Sequence, residues 1–429
     1  MDKHKDVNKP IGRKERARIL ASIRKLVLKR HFNVAGISYD DWVHSFDLRK
    51  EELFSADLEG FENGIRELLS KLGSSHTLFY HERTRQVLPQ HSINATLRSF
   101  SLNGTERWMF LDVFEDGPAY AAGIKPADLL LALDGCSCKP PTMPPFGIGR
   151  THRLTVTNVR GEEARQLDVK VPHVEGSRSI PPMVAPRSLA HKVIAPALGL
   201  LKVTYFPGAM GMRFAKQLDA VIASLKEQGA DRLIIDLRGN IGGGLGLARL
   251  ASYLCPGQLP IGHSLTRARL QSGYDMETLP RVPMPQSTPE LLWTLSRFLF
   301  RDKSVALLTQ GLGPQPFHGR IVLLVNEWTN SAAEMVAGFA QTHRLATVVG
   351  NKTAGNVLGA ANFKLGGGHT LRLPIFGWYT PRGDCLEGKG VSPEIKVDVN
   401  PYRLNAGLDD QMEKTLEIVR GMGRPVPRG

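Results

Sequence analysis

The sequence predicts an α/β protein built from more than one domain, and three observations predict it. Beyond residue 193, short apolar strands alternate with amphipathic helical segments. Residues 92–172 break instead into brief strands separated by Gly, Asn and Asp, and residues 1–90 carry helical periodicity. At 429 residues the chain also exceeds what one ordinary core encloses.

From Arg16 to His31, Ile19, Ile23, Leu26 and Val27 recur at helical spacing, with Lys and Arg on the other face. A second stripe, Phe61, Ile65, Leu68, Leu69 and Leu72, predicts a helix from Leu58 to Leu72. Such stripes pack into a core, so residues 1–90 read as a small helical domain that includes the loop GSSHT, Gly73 to Thr77. Residues 92–172 contain ATLRSF, WMFLDVF, DLLLALDG, HRLTVTNV and RQLDVKV, the pattern of a small all-β module. A Pro- and Ser-rich linker, 173–192, follows.

The core, 193–400, opens on the strand LGLLKVTYF and a helix from about Met212 to Gln228. Strand RLIIDL, a glycine loop and a helix from Leu245 to Tyr253 come next. Later segments are strand GRIVLLVN, a helix from about Ser331 to Thr342, strand LATVV, and the closing β segments HTLRLPI and GWYTP. Residues 256–317, rich in Pro and charge with weak pattern, read as an insertion or lid, and 401–429 as a C-terminal helix and tail.

Composition narrows the function. Apolar residues make up 42% and charged residues 22%, and no apolar run reaches the length of about eighteen that a membrane helix needs. The N-terminus is charged from its second residue and lacks an apolar signal region, so the expected location is cytoplasmic, with no membrane partner. Cys136, Cys138, Cys255 and Cys385 show neither zinc nor disulfide spacing and read as reduced thiols. The net charge of +14 invites a nucleic-acid reading, but eleven of the Lys and Arg fall in residues 1–30 and few aromatics are interleaved with the rest. Nucleic acid is therefore not an expected partner.

Two stretches carry chemistry. LIIDLRGNIGGG, Leu233 to Gly244, sets a buried strand before Gly242, Gly243 and Gly244, which allow a sharp turn and bring bare N–H groups to an anion. The spacing fits neither a phosphate loop nor a dinucleotide fingerprint. IVLLVNEWTNSAAEMVAGFAQ, Ile321 to Gln341, puts Ser331 at a helix start with Glu334 three residues on. That is a capping box, and it is also a turn that can expose a nucleophile whose following N–H, on Ala332, joins a glycine N–H in an oxyanion hole.

The string FEDGPAYAAGIKPADLLLALDG, Phe114 to Gly135, resembles the core of a PDZ domain, with Ala127 where a glycine is usual. In order along the chain follow DLRGNxGG, SAAE, AGxxQ, VVGxxTxG and PxGxxxEGxGVSPE. The whole resembles the tail-specific, or C-terminal processing, serine peptidases, a family that includes the tricorn core proteases. The resemblance implies a crotonase/Clp protease-like α/β core with an N-terminal helical domain and an inserted PDZ-like domain. It implies Ser331 as nucleophile, with Gly242 or Gly243 and Ala332 as oxyanion donors. The tail-specific branch takes its base from a lysine in TFGKG, but this chain has TAGNV, with Asn356 there, and Lys352 lies outside the motif. The tricorn-like branch implies instead a Ser-His-Glu arrangement, with His76 as base, Ser75 beside it in support, and Glu387 of LEGKGVSPE orienting the histidine. His343 reads as exposed, Asp236 as structural and Cys385 as a small buried group. No metal or organic cofactor is implied. The expected partner is a polypeptide substrate, and the family permits a homo-oligomer. Asn356 keeps open a catalytically inactive binding or scaffold protein on the same fold.

Overall fold

The computed structural model describes residues 11–34, 36–84, 86–174, 182–285, 289–290, 292 and 303–423. The first residues of the helical domain, part of the expected linker, part of the expected lid and the end of the tail lie outside the described residues. The chain divides into two compact units. The first joins Met1–Thr84, Ser264–Thr278 and Leu358–Trp378, and the second holds Arg85–His263, Leu279–Val357 and Tyr379–Gly429.

In the first unit, helix Arg13–Arg30 turns Ile19, Leu20, Ile23 and Val27 into the core. Helix Tyr39–Leu48 starts at Ser38, which accepts the N–H of Asp41 at 3.2 Å, and inserts Trp42 and Phe46. Helix Leu58–Ser70 is capped by Asp57, which accepts from Gly60 N–H at 2.7 Å, and buries Phe61, Ile65, Leu68 and Leu69. These faces meet Phe79, Leu365, Leu371 and Leu373 from a three-stranded antiparallel arrangement. Its strands are Leu78–His81, His369–Tyr379 and Gly359–Gly366, with Leu78 opposite Arg372 and Arg372 opposite Asn362.

The second unit contains two large sheets. Ala95–Leu102, Thr105–Val113, Leu129–Leu133, Thr151–Thr157 and Arg165–Lys170 form an antiparallel sheet in that spatial order around Leu97, Phe110, Leu130, Leu154, Val156 and Phe146. The other sheet runs Leu189–Ala195, Leu198–Val203, Arg232–Asp236, Ile321–Val325, Thr347–Gly350 and Ile395–Lys396, antiparallel at its first pair and parallel thereafter. RLIID and IVLLV are buried almost throughout because helices cover both faces of a parallel sheet. Ile234, Val322, Leu324 and Val349 pack under Val419 of helix Asp410–Gly421.

Two expectations need adjusting. The linker ends early, because LAHKVIA already pairs as strand Leu189–Ala195. The expected lid contains strands Pro260–Thr266, Arg281–Pro283 and Val305–Leu308 and the short helix Arg267–Gln271, elements too brief for periodicity to reveal. Among the described residues, no helix is long and apolar enough to cross a membrane.

Candidate functional site

In a parallel sheet, ligand chemistry gathers beyond the carboxyl ends of the strands. Three neighbouring strands, Arg232–Asp236, Ile321–Val325 and Thr347–Gly350, send their loops out at that end. The loops carry Gly239 to Gly244, Asn326 to Ser331, and Asn351 to Val357.

Ser331 precedes helix Ala332–Thr342 with φ 52° and ψ −115°. A residue with a Cβ resists this region, and holding it there costs roughly 1–3 kcal/mol. The surroundings that impose it are specific. Ser331 N–H donates to Glu334 Oε2 at 2.9 Å, and Asn330 N–H donates to Asn240 carbonyl oxygen at 2.9 Å. Asn240 is fully buried, and its Oδ1 accepts Gly242 N–H at 2.7 Å while its Nδ2 donates to Val203 carbonyl oxygen at 2.8 Å. Gly242 has φ 82°, and a Cβ there would stand 2.6 Å from Ser331 Cβ. Only glycine lets the loop approach the serine this closely.

The donor set differs from the sequence expectation in one respect. Gly242 N–H is already committed to Asn240, and Gly244 N–H to Phe206 carbonyl oxygen at 2.9 Å. Among the described residues, Gly243 N–H and Ala332 N–H have no hydrogen-bond acceptor. Of the two glycines named from the sequence, Gly243 has the available donor and Gly242 provides the close approach.

Glu334 is the hub beneath the serine. It is fully buried, and its carboxylate accepts from Ser331 N–H, Thr353 Oγ1 at 2.6 Å, Gly355 N–H at 2.6 Å and Asn356 N–H at 2.9 Å. Burial pushes its pKa up and these donors oppose the rise. Asn356 Nδ2 donates to Asn330 Oδ1 at 2.9 Å, so the position where the sequence reading looked for a lysine is bonded to the neighbour of Ser331 and holds a side chain that cannot take a proton at neutral pH. Lys352 is exposed. Glu387 is buried, and its Oε2 accepts Val357 N–H at 2.8 Å on the same turn.

His76 belongs to the first unit, Ser331 and Glu387 to the second. His76 has φ 60°, and its Nδ1 is 2.9 Å from Ser75 Oγ. The nitrogen that the sequence reading reserved for Glu387 thus has Ser75 as its partner. Burial, aided by the positive charge of Arg372, lowers the His76 pKa to about 4, so the ring is neutral at pH 7. The loop is fixed by buried His31, whose Nε2 meets Ser74 Oγ at 2.9 Å and whose Nδ1 meets Tyr39 Oη at 3.0 Å. Ser74 Oγ in turn meets Thr77 Oγ1 at 2.9 Å.

The competing residues settle elsewhere. Asp236 is buried between Arg238 and Lys202, which hold its carboxyl far below the usual range against the cost of burial. His343 is half-buried rather than exposed, with Nε2 3.0 Å from Pro260 carbonyl oxygen, because the helix end turns it inward. Cys385 is half-buried and its thiol pKa is raised by burial. Sequence reasoning missed Asn240 and Asn330, whose only local signal is the placement of an asparagine in each site loop. Among the described residues, no group of three or more His, Cys, Asp or Glu could hold a metal.

The second unit is thus an α/β fold whose sheet sets a strained serine against a glycine loop, with the Gly243 and Ala332 amides beside it. Residues 197–397 match Peptidase family S41. It is 24% identical over 324 residues to a probable CtpA-like serine protease of Staphylococcus aureus, covering 72% of this chain and 56% of that protein. It is 25% identical over 320 residues to a carboxyl-terminal-processing protease of Synechocystis, covering 71% and 63%. The chain thus spans less than two thirds of the length of these relatives. The photosystem II D1 C-terminal processing protease superposes with a TM-score of 0.56 at 16% identity, covering 96% of this chain and 97% of that one, so the two share a fold.

Proposed function

We propose that the chain is a serine endopeptidase that hydrolyses peptide bonds of unfolded or C-terminally presented polypeptides. Ser331 Oγ attacks the carbonyl carbon, and His76 Nε2 takes the serine proton and later returns it to the leaving amine. The N–H groups of Gly243 and Ala332 receive the oxyanion, and water then releases the acyl group. Ser75 positions the imidazole through Nδ1, and Glu387 supplies the acidic member of the set. The reading requires His76 of one unit to meet Ser331 of the other during turnover. In it, the all-β module at 92–172 acts as a PDZ-like domain that captures a substrate C-terminus by strand addition.

The observation that carries the reading is the strained backbone of Ser331 pressed against Gly242, an arrangement that a simple helix cap does not need. A fluorophosphonate should label Ser331 in the full chain, and casein hydrolysis should vanish with the label in Ser331→Ala. No labelling together with no hydrolysis would favour the second reading, a binding or scaffold protein on this fold. Asn356 in the lysine position is what supports that alternative.

A further inference from the structure

Arg372 lies directly across the strand pair from Leu78, and Leu78 follows His76 by two residues, so the guanidinium and the imidazole share one end of the first unit's sheet. Two other arginines of this unit, Arg16 and Arg66, are well partnered. Arg16 Nη1 donates to the carbonyl oxygens of Leu53 at 3.0 Å and Ala56 at 2.6 Å, and Arg66 Nη2 pairs with Glu62 at 2.7 Å. Arg372 differs. It is half-buried, yet among the described residues its side chain has no hydrogen bond and no carboxylate at ion-pair distance. Its nitrogens are not among the fully buried orphan atoms, so they still reach solvent. Its cross-strand neighbours are open as well, with Leu78 43% exposed and Asn362 exposed on the other side. Burial lowers its pKa from the ordinary arginine value, the mark of a cation that has lost hydration and gained no counter-charge.

We propose that Arg372 is a carboxylate-binding subsite beside His76, which receives either the C-terminal carboxylate of a polypeptide or an Asp or Glu side chain. The inference deepens the peptidase reading and rests on it for its link to catalysis. A guanidinium fork matches a carboxylate with two parallel N–H···O bonds, and here no bond within the protein must break first. Leu78 offers the neighbouring residue an apolar contact and Asn362 a polar one. Occupancy also acts on the base. Burial is the main cause of the low His76 pKa and the Arg372 charge is the second. A bound carboxylate cancels the second, so His76 becomes more basic when a carboxylate-bearing substrate is in place.

Binding is measured first, on full-length Ser331→Ala, with a fluorescein-labelled Ala/Ser peptide in three forms: free C-terminal acid, C-terminal amide, and amide with one internal Glu. One or both carboxylate peptides should bind about tenfold or more tightly than the plain amide, the scale of a charge-assisted bidentate pair. The form that gains identifies the source of the carboxylate. Adding Arg372→Gln should erase the difference and leave the amide peptide's affinity unchanged, and Arg372→Lys should keep part of it. Equal affinities for all three peptides, or an undiminished difference in Arg372→Gln, overturns the proposal. If Arg372→Gln does not fold, Arg372→Met takes its place, because capture of a C-terminus by the 92–172 module could favour the free acid without Arg372. With the Ser331 enzyme, the acid limb of kcat should lie at higher pH than that of kcat/KM for the preferred carboxylate peptide, and the two should coincide for the plain amide. Absence of hydrolysis for every peptide would sink the peptidase reading while the binding result still decides Arg372.

Discussion

A single methyl group tests the strained serine. Gly242→Ala would place a Cβ 2.6 Å from Ser331 Cβ at a φ of 82°, so either the loop or the nucleophile must shift. A displacement of about 1 Å at a reacting centre costs on the order of a hundredfold, and kcat should fall by that factor while circular dichroism stays native. The identity of the base is tested by a pair of substitutions. His76→Ala should lower kcat by about a thousandfold or more. Asn356→Ala, which removes only the bond to Asn330 Oδ1, should stay within about tenfold of the parent. If Asn356→Ala proved the more damaging, the proton acceptor would have to be sought on that turn. The meeting of Ser331 with the glycine loop was legible because the proposed nucleophile turn and amide cradle would need particular residue types at fixed spacing. Asn240 was not legible, since its role depends on Val203 and Asn330, which only the folded sheet brings beside it.

The turns and helices that hold these residues depend on buried polar groups more than on apolar packing. Glu334 receives four donors from two loops, so Glu334→Gln would set an amide NH2 against at least one N–H or O–H. A loss of about 2–4 kcal/mol in chemical denaturation is expected, with slower fluorophosphonate labelling of Ser331. His31 supplies a pH dependence. Burial, then the charge of Arg267, lowers its pKa from 6.5 to about 4. The unfolded chain therefore binds a proton at this residue that the folded protein refuses between those values, and stability falls as pH drops from 6.5 towards 4. Each pH unit in that window is worth up to about 1.4 kcal/mol. His31→Gln can still meet Ser74 and Tyr39, and should flatten the acid limb of an unfolding free energy measured across it. Elements with long stripes, such as Arg13–Arg30 and Met212–Glu227, could be read from sequence because one face is apolar at helical spacing. The helix Tyr39–Leu48 could not, although Ser38 caps it and Trp42 and Phe46 stand one turn apart, because two apolar residues make too short a stripe.

At the scale of the whole molecule the two units are interleaved along the chain, which passes between them after residues 84, 263, 278, 357 and 378. Sequence patterning treats the first ninety residues as a domain in their own right, since nothing local records that strands from beyond residue 358 complete their core. Yet Leu365, Leu371 and Leu373 share one buried cluster with the faces of the N-terminal helices and Phe79. Removing residues 1–84 would therefore not excise a unit. It would strip the cover from a hairpin whose inner face is apolar and leave Gly359–Gly366 and His369–Tyr379 presenting leucines to water. Each uncovered leucine forfeits roughly 1.5–3 kcal/mol, and an open apolar strand face invites pairing with other chains. The truncated protein should bind a hydrophobic dye and elute as aggregates in size-exclusion chromatography, whereas the full chain with His76→Ala should do neither. A soluble, monomeric truncation with a native melting transition would mean that the hairpin packs independently of the helices, and the first unit would then have to be redrawn.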